Sequence, residues 1–231
     1  MRRQAVLVLL GTTGIAVAVF LLFPDIDLVV ARRMLRADGH FLLFWVYSFI
    51  YVHEAIQYLV PIAIAFFAVA AIAYFRRRPI WGITAWQALY VIAVFAIGPG
   101  LLVNTVVKDH SHRPRPGETQ EFGGKFAYAP PFAFDGACDQ NCSFVAGDPA
   151  AGFAFLAPVL LLPARRRPAG IAAALLLGGA IGLMRMLQGA HYFGDVVFSG
   201  LLVAATALAL HWAMFRADGQ PRSRWGKRLS S

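Results

Sequence analysis

The sequence predicts an all-α fold: a polytopic membrane protein of six transmembrane helices. Two observations carry that prediction. Of the 231 residues, 59% are hydrophobic and 14% charged, and the mean hydropathy is +0.62. The apolar residues fall in runs close to 20 long, separated by short basic clusters, which is the length a helix needs to cross a bilayer core. A soluble helical protein does not produce so many uncharged runs. The formal net charge of +9 is no nucleic-acid signature, because the basic residues bracket apolar segments and form no single stripe. The bilayer is therefore the expected partner and nucleic acid is not.

In chain order, residues 4–23 form the first span. Arg2 and Arg3 precede it and Ala16-Val-Ala18 resembles a signal-peptide cleavage site, but the apolar run continues past it, so an uncleaved signal anchor is expected. Residues 24–57 mix charges with the aromatic-rich stretch 41–51 and suit an interfacial segment. His53-Glu54 begins no His-Glu-x-x-His metal motif, since Gln57 stands where the second histidine is required. Residues 58–75 are the second span, closed by Arg76, Arg77 and Arg78. Residues 86–107 are the third, with a kink expected at Gly98-Pro99-Gly100. Residues 108–143 read as a polar, Gly/Pro-rich loop. Residues 149–163 form a short fourth span, 169–187 the fifth and 196–215 the sixth. The whole of residues 1–215 is one transmembrane domain with its motifs within about 83–200; residues 216–231 are a basic tail, expected to be disordered.

Orientation follows from the basic residues near span ends. With six spans, Arg2, Arg3, Arg76–Arg78, Arg165–Arg167 and the basic tail share one side, holding 13 of the 21 Lys and Arg. Both termini are expected in the cytoplasm, with the 108–143 loop and the turn at His191 outside. Arg32, Arg33 and Arg36 dissent but are outnumbered. The only cysteines, Cys138 and Cys142, lie in that outward loop. A close pair outside the cytoplasm favours a disulfide over two free thiols.

Three polar clusters sit at outward span ends. They are Lys108-Asp-His-Ser-His-Arg113-Pro-Arg115-Pro116, then Cys142-Ser143-Phe-Val-Ala146-Gly147-Asp148-Pro149, then Arg185-Met-Leu-Gln-Gly-Ala-His191-Tyr-Phe-Gly-Asp195. Charged residues flanked by such apolar sequence are costly and hence functional candidates. His191 and Asp195, four apart, share a helical face, so the carboxylate could accept the imidazole N–H and leave the other nitrogen free to attack. Arg185 offers a planar fork of donors suited to phosphate oxygens. Taken alone, that last stretch is equally well a satisfied interior histidine beside a helix-end arginine.

The order and spacing of the three clusters resemble the type 2 phosphatidic acid phosphatase superfamily of membrane lipid phosphatases. Its signature is Lys-x6-Arg-Pro, Pro-Ser-Gly-His and Ser-Arg-x5-His-x3-Asp. Lys108 and Arg115-Pro116 match the first motif; Arg185, His191 and Asp195 match the third, with Met184 in place of its serine. The second motif departs, with Val145-Ala146-Gly147-Asp148 in its place. The resemblance implies a phosphatase needing no cofactor or metal. His191 would be the nucleophile, Asp195 its orienting partner, and Lys108, Arg115 and Arg185 the phosphate ligands. Ala146 and Gly147 would offer backbone N–H groups where the fourth span begins. Asp148 stands where the family's leaving-group histidine would be. It is read either as a general acid or as a helix cap before Pro149. Asp109, His110 and His112 are close together but read better as solvated loop than as metal ligands.

A further likeness, Glu121-Phe-Gly-Gly124 followed by Asn141-Cys-Ser-Phe144, points toward bacterial lipid A phosphatases of the superfamily. The expected activity is hydrolysis of a lipid phosphate monoester or pyrophosphate at the periplasmic face of a bacterial inner membrane, through a phosphohistidine. Lipid A and phospholipids such as phosphatidylglycerophosphate are candidate substrates. A lipid phosphotransferase using the same histidine and an impaired lipid-phosphate binder are the alternatives. Nothing in the sequence speaks to oligomeric state.

Overall fold

The structure, a computed structural model, describes residues 2–44, 48–216 and 219–222. Most of the basic tail, from Ser223 onward, and residues 45–47 of the aromatic stretch lie outside the described residues. Among those described, every regular element is helical, joined by turns and three isolated β-bridges.

Helix α1 spans Arg2–Leu22 and α2 spans Ile26–Arg32. Helices α3 (Ser48–Gln57) and α4 (Leu59–Phe75) run on so that His53–Phe75 is one apolar span of 23 residues. Helix α5 (Ala85–Phe95) starts at a full capping box, Thr84 accepting from the Gln87 N–H and the Gln87 side chain from that of Thr84. It passes into a π-helical stretch, Ala96–Val107, which contains Pro99. Proline has no N–H to give and its ring crowds the preceding turn. The chain answers with a widened helix over this whole segment, where the sequence predicted a local kink. Helices α6 (Gly147–Phe153) and α7 (Leu156–Leu160) form a short broken pair, and α8 (Arg167–Leu187) and α9 (Phe193–Met214) complete the bundle.

Among the described residues, five helical segments are long and apolar enough to cross a membrane, and Gly147–Leu160 is a shorter apolar sixth. The protein is thus an all-α, polytopic membrane protein. Helix α1 has only 6% of its most apolar window buried, with Leu7, Val8 and Leu10 facing outward. A helix that is apolar all round without protein cover is stable in lipid. It holds to α9 through Phe20, whose ring lies 5.4 Å from that of Phe198.

The centre is built by α5, α6, α8 and α9, with Tyr90, Val91, Val94, Phe95, Val103, Phe153 and Val203 in one core. Small residues let the helices touch. A Cβ on Gly152 would stand 2.8 Å from the Gly178 Cα, so α6 and α8 meet backbone to backbone.

Residues 24–44, part of the segment read from sequence as interfacial, pack onto the bundle. Asp27, Leu28 and Ala31 are buried, and Phe41 packs with Tyr192 and Leu28. This segment roofs the end of the bundle where the polar clusters meet.

Candidate active site

Successive spans run in opposite directions, so the ends Leu22, His53, Val107, Gly147, Leu187 and Phe193 lie at one end of the bundle. Between them is a cavity of about 450 Å³ lined by Lys108, Arg115, Asp148, Arg185 and His191, together with Gly147 and His53. The structure therefore brings together residues from all three sequence clusters and adds one from the second span.

His191 sits in the turn between α8 and α9. Its Nδ1 is 2.8 Å from the Ser143 carbonyl oxygen and 3.6 Å from Asp195 Oδ2. The expected direct hydrogen bond to Asp195 is corrected: the Ser143 carbonyl accepts the imidazole N–H. The reason is that Asp195 Oδ2, the oxygen nearest the ring, already accepts two hydrogen bonds. Its Oδ1 accepts from Arg113 Nη1 at 2.5 Å, and its Oδ2 from Ser143 Oγ at 2.5 Å and the Tyr192 N–H at 2.8 Å. Asp195 therefore fixes Ser143, and Ser143 fixes His191. With Nδ1 as donor, Nε2 carries the lone pair. Burial depresses the His191 pKa from its ordinary 6.5, nearby Asp195 opposes this, and Lys108 and Arg115 add to the depression.

Arg113 is the residue that sequence reasoning missed. It is 1% exposed and joins two carboxylates, donating through Nη2 to Asp27 Oδ2 at 2.6 Å and through Nη1 to Asp195. Its Nε donates to the Ala129 carbonyl, and its guanidinium lies 4.2 Å from the Tyr192 ring centroid. Burial works against its charge, but Asp195 and then Asp27 outweigh it and raise the pKa. Asp27 in turn accepts the Gly194 N–H at 2.7 Å, and burial pushes its carboxyl up against the pull of Arg113. The sequence signal was only an arginine two residues before one that fitted the motif spacing.

Arg115 donates to the Asn141 carbonyl from Nη2 at 3.0 Å and Nε at 3.3 Å. Asn141 lies inside the loop closed by the Cys138–Cys142 disulfide, so the cross-link holds the carbonyl that aims Arg115. Lys108 begins a 3₁₀ turn at the end of the π-helical stretch.

Two expectations for the second cluster change. Ala146 is fully buried and its N–H goes to the Asp195 carbonyl at 3.2 Å, so it is no anion donor in this arrangement. Asp148 caps nothing: Ala146 is the N-cap of α6, and no side-chain capping bond forms there. Instead Asp148 Oδ2 lies 3.0 Å from Arg185 Nε and 2.8 Å from His53 Nδ1. Both are short contacts, yet none of the three buried atoms completes a hydrogen bond. Arg185 Nη1 is held by the Gln188 side chain at 2.7 Å.

Among the described residues, no three His, Cys, Asp or Glu side chains converge as a metal set. His110 and His112 turn to backbone, their Nδ1 atoms 2.7 Å from the Val106 oxygen and 3.0 Å from the Cys138 oxygen. The arrangement can do one chemistry well: present a neutral imidazole to a phosphorus whose oxygens are held by fixed cations.

The chain is 37% identical over 203 residues to a lipid A 4'-phosphatase of Francisella tularensis subsp. novicida (strain U112), covering 85% of this chain and 90% of that one. It is 40% identical over 122 residues to a lipid A 4'-phosphatase of Rhizobium leguminosarum, covering 52% of each. No solved structure matches significantly. Residues 84–218 match the family model described as the PAP2 superfamily; on that match and on the Francisella relative, the chain belongs to the PAP2 superfamily and is a membrane lipid phosphatase, a phosphoric monoester hydrolase.

Proposed function

We propose that this enzyme removes a phosphate monoester from lipid A, the 4'-phosphate being the substrate named for its relatives, by way of a phosphohistidine on His191. The observation that carries the proposal is the fixed tautomer. Nδ1 is spent on the Ser143 carbonyl, which leaves Nε2 as the nucleophile in the cavity that Lys108, Arg115 and Arg185 line. Nε2 attacks phosphorus in line with the departing sugar oxygen, while the three cations hold the equatorial oxygens. The imidazole becomes cationic as the N–P bond forms. The Ser143 carbonyl and the Asp195 charge 3.6 Å away stabilise it. Water then attacks the phosphohistidine from the opposite side and releases phosphate.

The basic clusters lie at the end of the bundle away from the cavity, on Arg3, Arg76–Arg78 and Arg165–Arg167. That asymmetry supports cytoplasmic termini and a cavity at the periplasmic face of a bacterial inner membrane.

Phosphate release in detergent, with EDTA present, tests the reading across lipid A, phosphatidylglycerophosphate, phosphatidic acid and a polyprenyl pyrophosphate. Lipid A should be turned over fastest, and His191→Ala should abolish release while lipid A still binds. Activity that EDTA removes and a divalent metal restores would sink it.

A further inference from the structure

Departure of a sugar oxygen needs a proton, and the position at which the family keeps a histidine holds Asp148 in this chain. Its Oδ2 lies 3.0 Å from Arg185 Nε, so this carboxylate is engaged as the arginine's partner. The cavity nevertheless contains a second imidazole. His53, at the start of the second span and outside the residues 84–218 that match the family, has its Nδ1 2.8 Å from Asp148 Oδ2. Its side chain is 27% exposed and lines the same cavity as His191. Four buried side-chain polar atoms among the described residues have no hydrogen-bond partner. Three of them are His53 Nδ1, Asp148 Oδ2 and Arg185 Nε, gathered at this one place. They face one another at 2.8 and 3.0 Å without completing a hydrogen bond, and catalytic hydrogen bonds in a free enzyme are often poorly aligned until substrate binds.

Resting on the phosphohistidine reading above, we propose that His53 is the general acid and base of the reaction, with Asp148 its positioning residue. The imidazole that the family carries in its second motif is supplied here from the second span.

In the first step His191 Nε2 forms the N–P bond and the P–O bond to the sugar breaks. The electron pair stays on the sugar oxygen, which takes the proton from His53 Nε2. The lipid leaves as an alcohol and His53 is left neutral. In the second step water attacks phosphorus, its proton passes to His53 Nε2, and the N–P bond breaks with its electrons returning to His191. Lipid phosphate and water have become lipid alcohol and phosphate, and His53 is again an imidazolium. Asp148 stabilises that cation at Nδ1. In the free enzyme the Gln57 amide nitrogen lies 3.1 Å from His53 Nε2, so Gln57 must turn aside for the leaving oxygen to reach that nitrogen. The other charged or titratable groups facing this imidazole across the cavity are Arg185 from α8, Lys108 and Arg115 from the loop, and the neutral His191.

The test compares leaving groups with His53→Gln in detergent. One substrate is lipid A; the other is p-nitrophenyl phosphate, whose phenolate departs without a proton. General-acid catalysis is worth about 10²–10⁴-fold. His53→Gln should therefore lose about 100-fold or more on lipid A and at least ten times less than that on the aryl ester. It should also remove the alkaline limb from the kcat/KM profile for lipid A. Asp148→Asn should show the same discrimination, while His191→Ala loses both substrates. Equal losses of His53→Gln on both esters, or an unchanged alkaline limb, would overturn the assignment while leaving the phosphohistidine intact. A wild-type enzyme hydrolysing neither ester would overturn the phosphohistidine reading itself.

Discussion

Arg113 is the residue on which the site's geometry turns, although it does not line the cavity. It is held between two buried carboxylates, and removing one partner from a buried ion pair costs about 3–5 kcal/mol because the remaining charges are stranded. Arg113→Met should lower the melting temperature in detergent by about 10 °C and cut turnover, since Asp195 loses its anchor and Ser143 with it. An unchanged melt would mean that Asp27 and Asp195 do not depend on it. His191 gives a second prediction, on pH. Its folded pKa lies below 6.5, burial being the main cause, so the imidazole stays neutral and nucleophilic as pH falls through 6.5. The acid limb of kcat/KM, corrected for the ionisation of the lipid phosphate, should lie below pH 6.5. In the same window the unfolded chain binds the proton first, so stability should decline as pH falls below about 6.5; His191→Gln should flatten that decline. Lys108, Arg115, Arg185, His191 and Asp195 were legible because each motif has a fixed spacing. Arg113 and His53 were not, because their partners, Asp27 and Asp148, are 86 and 95 residues away in sequence and no local pattern records such a contact.

The elements explain why the motif residues arrive together. Helix α6 carries Asp148 at its start and α8 carries Arg185 at its end, and their 3.0 Å contact depends on how closely those helices pack. Gly152 sets that distance against the Gly178 backbone, which cannot step aside. Gly152→Ala should cost about 1–3 kcal/mol and raise KM for the lipid as the two helix ends part. Gly179→Ala, one residue along α8 and with nothing within 4 Å of the new Cβ, is the control and should leave both stability and turnover near wild type. Equal behaviour of the two variants would refute the close-packing account. The spans themselves were readable from apolar length to within a few residues. The π-helical form of Ala96–Val107 was not, because apolar runs report length and burial but not the hydrogen-bond register of the turns. The docking of α2 was hidden for a different reason: its charged residues look interfacial until Asp27 is seen to meet Arg113.

At the scale of the whole molecule, alternating spans sort the chain's chemistry to one end and its basic clusters to the other. Cysteine labelling of intact cells, with Cys138 and Cys142 held in their disulfide, reads that arrangement directly. Glu121→Cys should react with an impermeant maleimide from outside, whereas Arg78→Cys should react only after the inner membrane is opened. The reverse pattern would place the cavity in the cytoplasm.

In the proposed reaction, phosphate passes through His191. That route is tested most directly by mixing the enzyme with lipid A labelled with ³²P at the phosphate, quenching in base within the first turnover, and mapping the labelled peptide. Base-stable, acid-labile label is expected on the peptide containing His191 and none in His191→Ala. Label on any other residue, or label that survives in His191→Ala, would contradict that route.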